Sequence, residues 1–223
     1  MDGFKVLEIK ESVFEDNNRR AETLRGELKK SKTFLLNLMS SPGSGKTTTL
    51  VRTIEALKDE MKIGVVEADI DSDVDAHTVS RAGAKTIQIH TGGMCHLDAF
   101  MAREGLTEMG IKGLDLVVLE NIGNLLCPAE FDTGASKNVM ILSVPEGDDK
   151  PLKYPKMFSV VDVLLVNKID AMEFFNFDLQ AVKERVMKLN PGVRIIPISA
   201  KTGEGIPEWI DWLRAEVKQW KKD

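Results

Sequence analysis

The chain has 223 residues, 43% of them apolar and 29% charged, the proportions of an ordinary globular protein long enough to bury a substantial core. Its formal net charge of −5 gives no electrostatic reason to expect nucleic acid or an anionic membrane as partner, and no run of about 18 apolar residues is present to cross a bilayer. The opening stretch is too acidic and polar for a secretory signal, so a cytoplasmic protein is expected, in which Cys95 and Cys127 are read as buried thiols or metal ligands rather than a disulfide framework.

Residues 10–30 are charged and helix-favouring, with Val13, Phe14, Ala21, Leu24 and Leu28 making one weak apolar stripe. They predict a peripheral helix, an N-terminal appendage over residues 1–30, whose charges form a solvated face. A single domain over 31–223 follows, with no linker inside it. Its apolar runs at 34–39, 63–67, 86–89, 116–120, 139–143, 163–166 and 195–198 alternate with helical patterns and lack polar alternation. Seven strands buried on both faces predict an α/β fold, a mostly parallel sheet with helices on both sides and ligands beyond the carboxyl ends of its strands. Near the end, Trp209, Trp212, Leu213, Val217 and Trp220 recur at helical spacing and are expected in the core.

The first run leads into Ser40-Ser41-Pro42-Gly43-Ser44-Gly45-Lys46-Thr47-Thr48 and then into a helical pattern. In a strand, glycine-rich turn and helix, backbone N–H groups can turn inward around phosphate oxygens and the helix N-terminus adds its dipole. Gly43, Ser44, Gly45 and Thr48 would line this cradle, Lys46 would reach the β and γ phosphates, and the Thr47 hydroxyl would meet Mg²⁺. The usual pattern opens with glycine; Ser40 stands there.

The next strand ends in a run of carboxylates that includes Asp69, Asp71, Asp73 and Asp75. Asp69 is placed to hold a water of the magnesium ion and Asp75 to orient the attacking water, with capping as the structural alternative. The strand at 116–120 gives Glu120-Asn121-Ile122-Gly123, where regulatory GTPases carry Asp-x-x-Gly, so Glu120 is expected near Mg²⁺. No glutamine follows that glycine and no single arginine stands out as a finger, which predicts slow unassisted hydrolysis.

Later, 163–166 leads into Asn167-Lys168-Ile169-Asp170. A carboxylate at Asp170 can accept from both N1–H and the exocyclic amine of guanine and would be left unpaired by adenine. Asn167 would tie the base loop to the phosphate loop, and the Lys168 stem would cover the base. Ser199-Ala200-Lys201 closes the set as the loop whose backbone N–H meets the guanine oxygen. Three motifs in this order predict GTP over ATP.

Between strand and helix lies Thr91-Gly92-Gly93-Met94-Cys95-His96-Leu97-Asp98, and Cys127-Pro128 follows shortly after Glu120. Thiolate and imidazole suit Ni²⁺ or Zn²⁺, and a helix N-terminus would favour the Cys95 thiolate. Cys95 and His96 can share one ion only if the backbone there is not yet helical, because adjacent helical side chains diverge by about 100°. Packing remains the alternative for both cysteines; His77 and His90 read as ordinary residues.

Taken together, these motifs, with Glu146-Gly147-Asp148-Asp149 and Lys153-Tyr154-Pro155, resemble the HypB family of hydrogenase nickel-incorporation GTPases over nearly the whole chain. The resemblance implies a P-loop NTPase fold of the SIMIBI class and a homodimer formed with GTP. It also implies a nickel or zinc site from Cys95, His96 and Cys127 at the dimer interface. Delivery of nickel to the hydrogenase large subunit precursor, with a HypA-type chaperone as partner, would follow. A cysteine-rich or histidine-rich opening, carried by some members, is not seen, so high-affinity nickel storage is not expected. The related urease-accessory GTPases carry a Cys-Pro-His motif that this sequence lacks.

Overall fold

The computed structural model describes residues 9–69 and 74–222, with side chains for 13–68 and 76–222. A long helix α1 (Ile9–Ser31) precedes β1 (Phe34–Ser40), α2 (Lys46–Leu57), β2 (Ile63–Asp69), α3 (Val74–Ala82), β3 (Lys85–His90), α4 (Ala99–Met109) and β4 (Leu116–Glu120). Then come β5 (Lys137–Ser143), the short α5 (Lys150–Lys153) and α6 (Pro155–Ser159), β6 (Val163–Asn167), α7 (Leu179–Leu189), β7 (Arg194–Pro197) and α8 (Ile206–Lys222). Each apolar run of the sequence is a strand, and the ends differ by at most two residues.

The strands form one sheet in the order β3-β2-β4-β1-β5-β6-β7, with every pair parallel. β1 is central: the chain runs outward through β2 and β3, returns as β4 on one side of β1, and continues as β5 on the other. That reversal opens a crevice at the carboxyl ends of β1, β4 and β5, where ligands of such sheets bind.

Because side chains alternate along a strand, β1 sends Phe34, Leu36 and Leu38 to one face and Leu35 and Met39 to the other. The first face is covered by α2, α3 and α8, with Trp209 buried and its Nε1 donating to Thr53 Oγ1 at 2.9 Å. The second face carries two clusters, one under α1 and α4, the other under α6 and α7. Between Leu35 and Met39 the same face holds Asn37, which is buried. Asn121 Nδ2 donates to Asn37 Oδ1 and Asn37 Nδ2 to Asn138 Oδ1, each at 3.0 Å, a line of amides crossing β1 with its polar groups satisfied.

Leu24 and Leu28 of α1 are almost fully buried among Val117, Leu119 and Leu106, a burial worth about 1.5–3 kcal/mol for each leucine. The charges expected to face solvent are partly engaged elsewhere. Arg25 forks onto Asp132, Glu27 pairs with Arg103, and Lys29 Nζ donates to the Trp220 carbonyl oxygen at 3.1 Å while lying over its ring. An amphipathic pattern cannot reveal such partners, which come from segments about 76 to 191 residues away.

Candidate functional site

The phosphate loop leaves the end of the central strand. Gly43 and Gly45 have φ of +72° and +97°, a region that side chains other than glycine rarely enter, and a Cβ on Gly45 would strike the Asn167 amide. Lys46 Nζ donates to Ser40 Oγ at 3.2 Å, so the serine at the usual glycine position holds the lysine. Thr47 Oγ1 donates to Glu120 Oε1 at 3.0 Å, which puts two hard oxygens at the loop mouth. Glu67 stands in register beside Glu120 on the neighbouring strand, and both are buried. The Asp69 and Asp75 side chains and residues 70–73 lie outside the described residues.

The loop at 167–170 is wired to the phosphate loop. Asn167 Nδ2 donates to the Ser44 carbonyl oxygen at 2.9 Å, and its Oδ1 accepts from Lys168 N at 2.8 Å and Ala200 N at 3.1 Å. Lys168, at φ +64°, reaches the Gly43 carbonyl oxygen at 2.6 Å, and Asp170 accepts from Ser199 Oγ at 2.6 Å. Gly45, Thr48, Asn167, Lys168, Asp170, Ala200 and Lys201 line a cavity of about 190 Å³. Arg52 holds its far wall by donating to the carbonyl oxygens of Ala200 and Lys201 at 3.1 Å.

At the same end of the sheet, Cys95 and Cys127 bring their Sγ atoms to 2.8 Å as free thiols, and His96 Nδ1 lies 4.0 Å from Cys95 Sγ. The three donor atoms fall within 4.8 Å of one another. Cys95 and His96 precede the helix: α4 starts at Ala99, with Asp98 as its N-cap accepting from Met101 N at 2.8 Å. The backbone there is irregular, so neighbouring side chains can converge. The N-cap of that helix is Asp98, three residues after Cys95.

Burial pushes the His96 imidazole below its ordinary pKa against the opposing charge of Asp98, which favours the neutral, metal-binding form. The hydrogen bond with Cys95, and then burial, push the Cys127 thiol up. A soft metal that displaces its proton relieves both.

A family model described as the CobW/HypB/UreG nucleotide-binding domain matches residues 34–197, from the first residue of β1 to the last of β7. Over 212 residues the chain is 42% identical to the hydrogenase maturation factor HypB of Escherichia coli K12, covering 95% of this chain and 73% of that protein. It belongs to the HypB family. HypB from Helicobacter pylori, solved in complex with nickel, superposes with a TM-score of 0.85 at 38% identity, covering 92% of this chain and 96% of that one. HypB from Archaeoglobus fulgidus superposes with a TM-score of 0.85 at 41% identity, covering 91% and 98%. The fold is the P-loop NTPase fold of the SIMIBI class.

Several residues of this HypB-family site take contacts that the sequence motifs do not reveal. Asn121 Oδ1 accepts from Leu97 N at 3.1 Å, tying the segment after His96 to the end of β4. Glu146 Oε2 accepts from Ser143 N and Oγ at 2.7 Å, and its other oxygen accepts from Ser41 of the phosphate loop. Gly123 presses so closely on that loop that a Cβ would come within 2.9 Å of Pro42 N. The Glu120-Asn121-Ile122-Gly123 and Glu146-Gly147-Asp148-Asp149 runs were both marked in the sequence, but Asn121, Gly123 and Glu146 were given no role. Among the described residues no helix is long and apolar enough to cross a membrane.

Proposed function

We propose that the chain is a Mg²⁺-dependent GTPase that binds nickel and delivers it during [NiFe]-hydrogenase maturation, in the cytoplasm. The observation that carries this reading is the convergence of Cys95, His96 and Cys127 within 4.8 Å, on loops that leave the same sheet end as the phosphate loop. Nickel is the cargo; the donor set also accepts Zn²⁺. The GTPase unit is residues 31–223, to which residues 1–30 add the α1 region.

On GTP binding, Lys46 leaves Ser40 for the β and γ phosphates, and N–H groups from Gly43 to Thr48 surround the phosphate oxygens. Asp170 exchanges Ser199 for the N1–H and amine of guanine, the Ala200–Lys201 backbone meets the guanine oxygen, and the Lys168 stem covers the base. Thr47, Glu120 and Asp69 would hold Mg²⁺ or its waters, and Asp75 would orient the attacking water. Bound there, the ion would neutralise charge on the β and γ phosphate oxygens. With no glutamine or arginine finger, turnover is slow, and loop ordering carries the signal.

Gly123 lies against Pro42, so the loop of Cys127 begins beside the start of the phosphate loop. GTP therefore brings two chains together, with Cys95, His96 and Cys127 of each at the interface, and by linkage nickel and GTP strengthen one another's binding. Hydrolysis then releases nickel toward a hydrogenase large subunit precursor, with a HypA-type chaperone as partner. The test is a Ni²⁺ titration followed by light scattering, with GDP and with a non-hydrolysable GTP analogue, beside Cys95→Ala. Analogue-dependent binding that coincides with dimer formation and is lost in the variant supports the reading. Absence of nickel binding in both nucleotide states sinks it.

A further inference from the structure

We propose that α1 sets the geometry of the metal site, with Asn17 and Phe131 as its positioning residues. The inference rests on the reading that Cys95, His96 and Cys127 hold nickel. Two segments carry these ligands: residues 95–99, which run into α4, and residues 127–135, which run toward β5. Neither lies within a strand, so sheet pairing does not fix the spacing between them.

The side chain of Asn17 does. Buried in α1, it donates from Nδ2 to the Asp132 carbonyl oxygen at 2.9 Å and accepts at Oδ1 from Ala99 N at 3.0 Å, one amide spanning both ligand-bearing segments. Eight residues on, about two turns along the same face, Arg25 grips both carboxylate oxygens of Asp132 at 2.9 Å and the Ala135 carbonyl oxygen at 3.2 Å.

Phe131, four residues after Cys127, lies parallel to the His96 ring with centroids 3.9 Å apart and planes 16° from parallel. Phe14 of α1 packs on Phe131 at 5.0 Å. A metal-bound histidine is ordinarily aimed by a hydrogen bond from its second ring nitrogen to a carboxylate or carbonyl. Here that nitrogen, Nε2, is buried and has no partner among the described residues, while Nδ1 lies on the Cys95 side. Stacking on Phe131 therefore sets the ring plane. It aims the ligand without raising its basicity as a carboxylate would, which suits a cargo that must be released.

The test uses the full chain and three readouts: Ni²⁺ affinity by competition with a chromophoric chelator, the thiolate-to-nickel charge-transfer band, and GDP affinity. In Phe131→Leu and in Asn17→Asp, which sets a carboxylate against the Asp132 carbonyl, nickel affinity should fall roughly 10- to 100-fold, the usual effect of losing an outer support. The band should shift, GDP affinity should be unchanged, and Phe131→Tyr should restore both nickel readouts. Unaltered nickel affinity and spectrum in both variants overturns the proposal. So does a parallel loss of GDP affinity in both, which marks general destabilisation; if only Asn17→Asp fails to fold, Phe131→Leu decides. Failure of the unsubstituted protein to bind nickel is a separate result, and it removes the metal reading itself.

Discussion

At the nucleotide end, groups that would meet GTP are already bonded to one another: Lys46 to Ser40, Lys168 to the Gly43 carbonyl, Asp170 to Ser199, Asn167 to Ser44. At the metal end, two thiols lie against each other and His96 Nε2 has no partner among the described residues. The first region is held in shape by its own polar network, whose bonds it would exchange for ligand. The second is held in shape by its surroundings, through Asn17, Asn121 and Phe131. On the proposed reading, selectivity at the first would reside in the groups themselves, whereas affinity at the second would depend on what stands behind them.

The largest expected effect tests the nucleotide side. Asp170→Ala removes two charge-assisted hydrogen bonds to guanine at about 1.5–3 kcal/mol each, so GTP preference over ATP should fall roughly 100-fold or more in competition binding. A retained preference would mean that the pocket walls do the selecting. Next, Cys127→Ala should weaken nickel binding beyond the roughly 10- to 100-fold range of an outer-support change while leaving GDP affinity as it was. Were nucleotide binding lost with it, the two regions would not be separable.

Gly123→Ala probes their junction. Its Cβ would lie 2.9 Å from Pro42 N, and relieving such overpacking costs about 1–3 kcal/mol, to be read as a lowered Tm with weaker GDP binding. An unchanged GDP affinity would show that the phosphate loop yields without consequence. The smallest effect lies at the opposite end of the sheet. Burial alone would raise the Asp115 pKa, but bonds from Lys221 and Lys62 N hold it below its ordinary 3.8. Its contribution is present above the unfolded pKa and is lost as pH falls through the lowered folded value. Asp115→Asn should therefore lower Tm slightly at neutral pH, and its further drop in Tm between about pH 5 and 3 should be slightly smaller than that of the unsubstituted protein.

The seven strands were legible because an apolar run flanked by turn residues has few alternatives to a strand, although burial on both faces fails at the sheet edges, where β3 and β7 are mostly half-buried or exposed. The phosphate loop and Asn167 to Asp170 were legible because each is a short segment whose chemistry depends on local spacing; Cys95 and Cys127 stood out by residue type, but their meeting across 32 residues is a tertiary contact. Asn17 was lost among the charges of α1, and Phe131 looked like any aromatic residue in a loop, since a lone residue has no period and no motif. Ser40 was read as a departure from pattern, yet its hydroxyl holds Lys46.

By itself, the sequence determined the element types, the strand–turn–helix at the phosphate loop and which thiols and imidazole are candidate metal donors. These depend on backbone propensity, periodicity and side-chain chemistry, which act over a few residues. Only the tertiary structure decided that β4 and β5 flank β1, that Asn37, Asn121 and Asn138 align across it, and that α1 braces the loops of His96 and Cys127. Those contacts join residues 82 to 115 positions apart in the case of α1, and their partners are chosen by packing and by the need to pair every buried polar group.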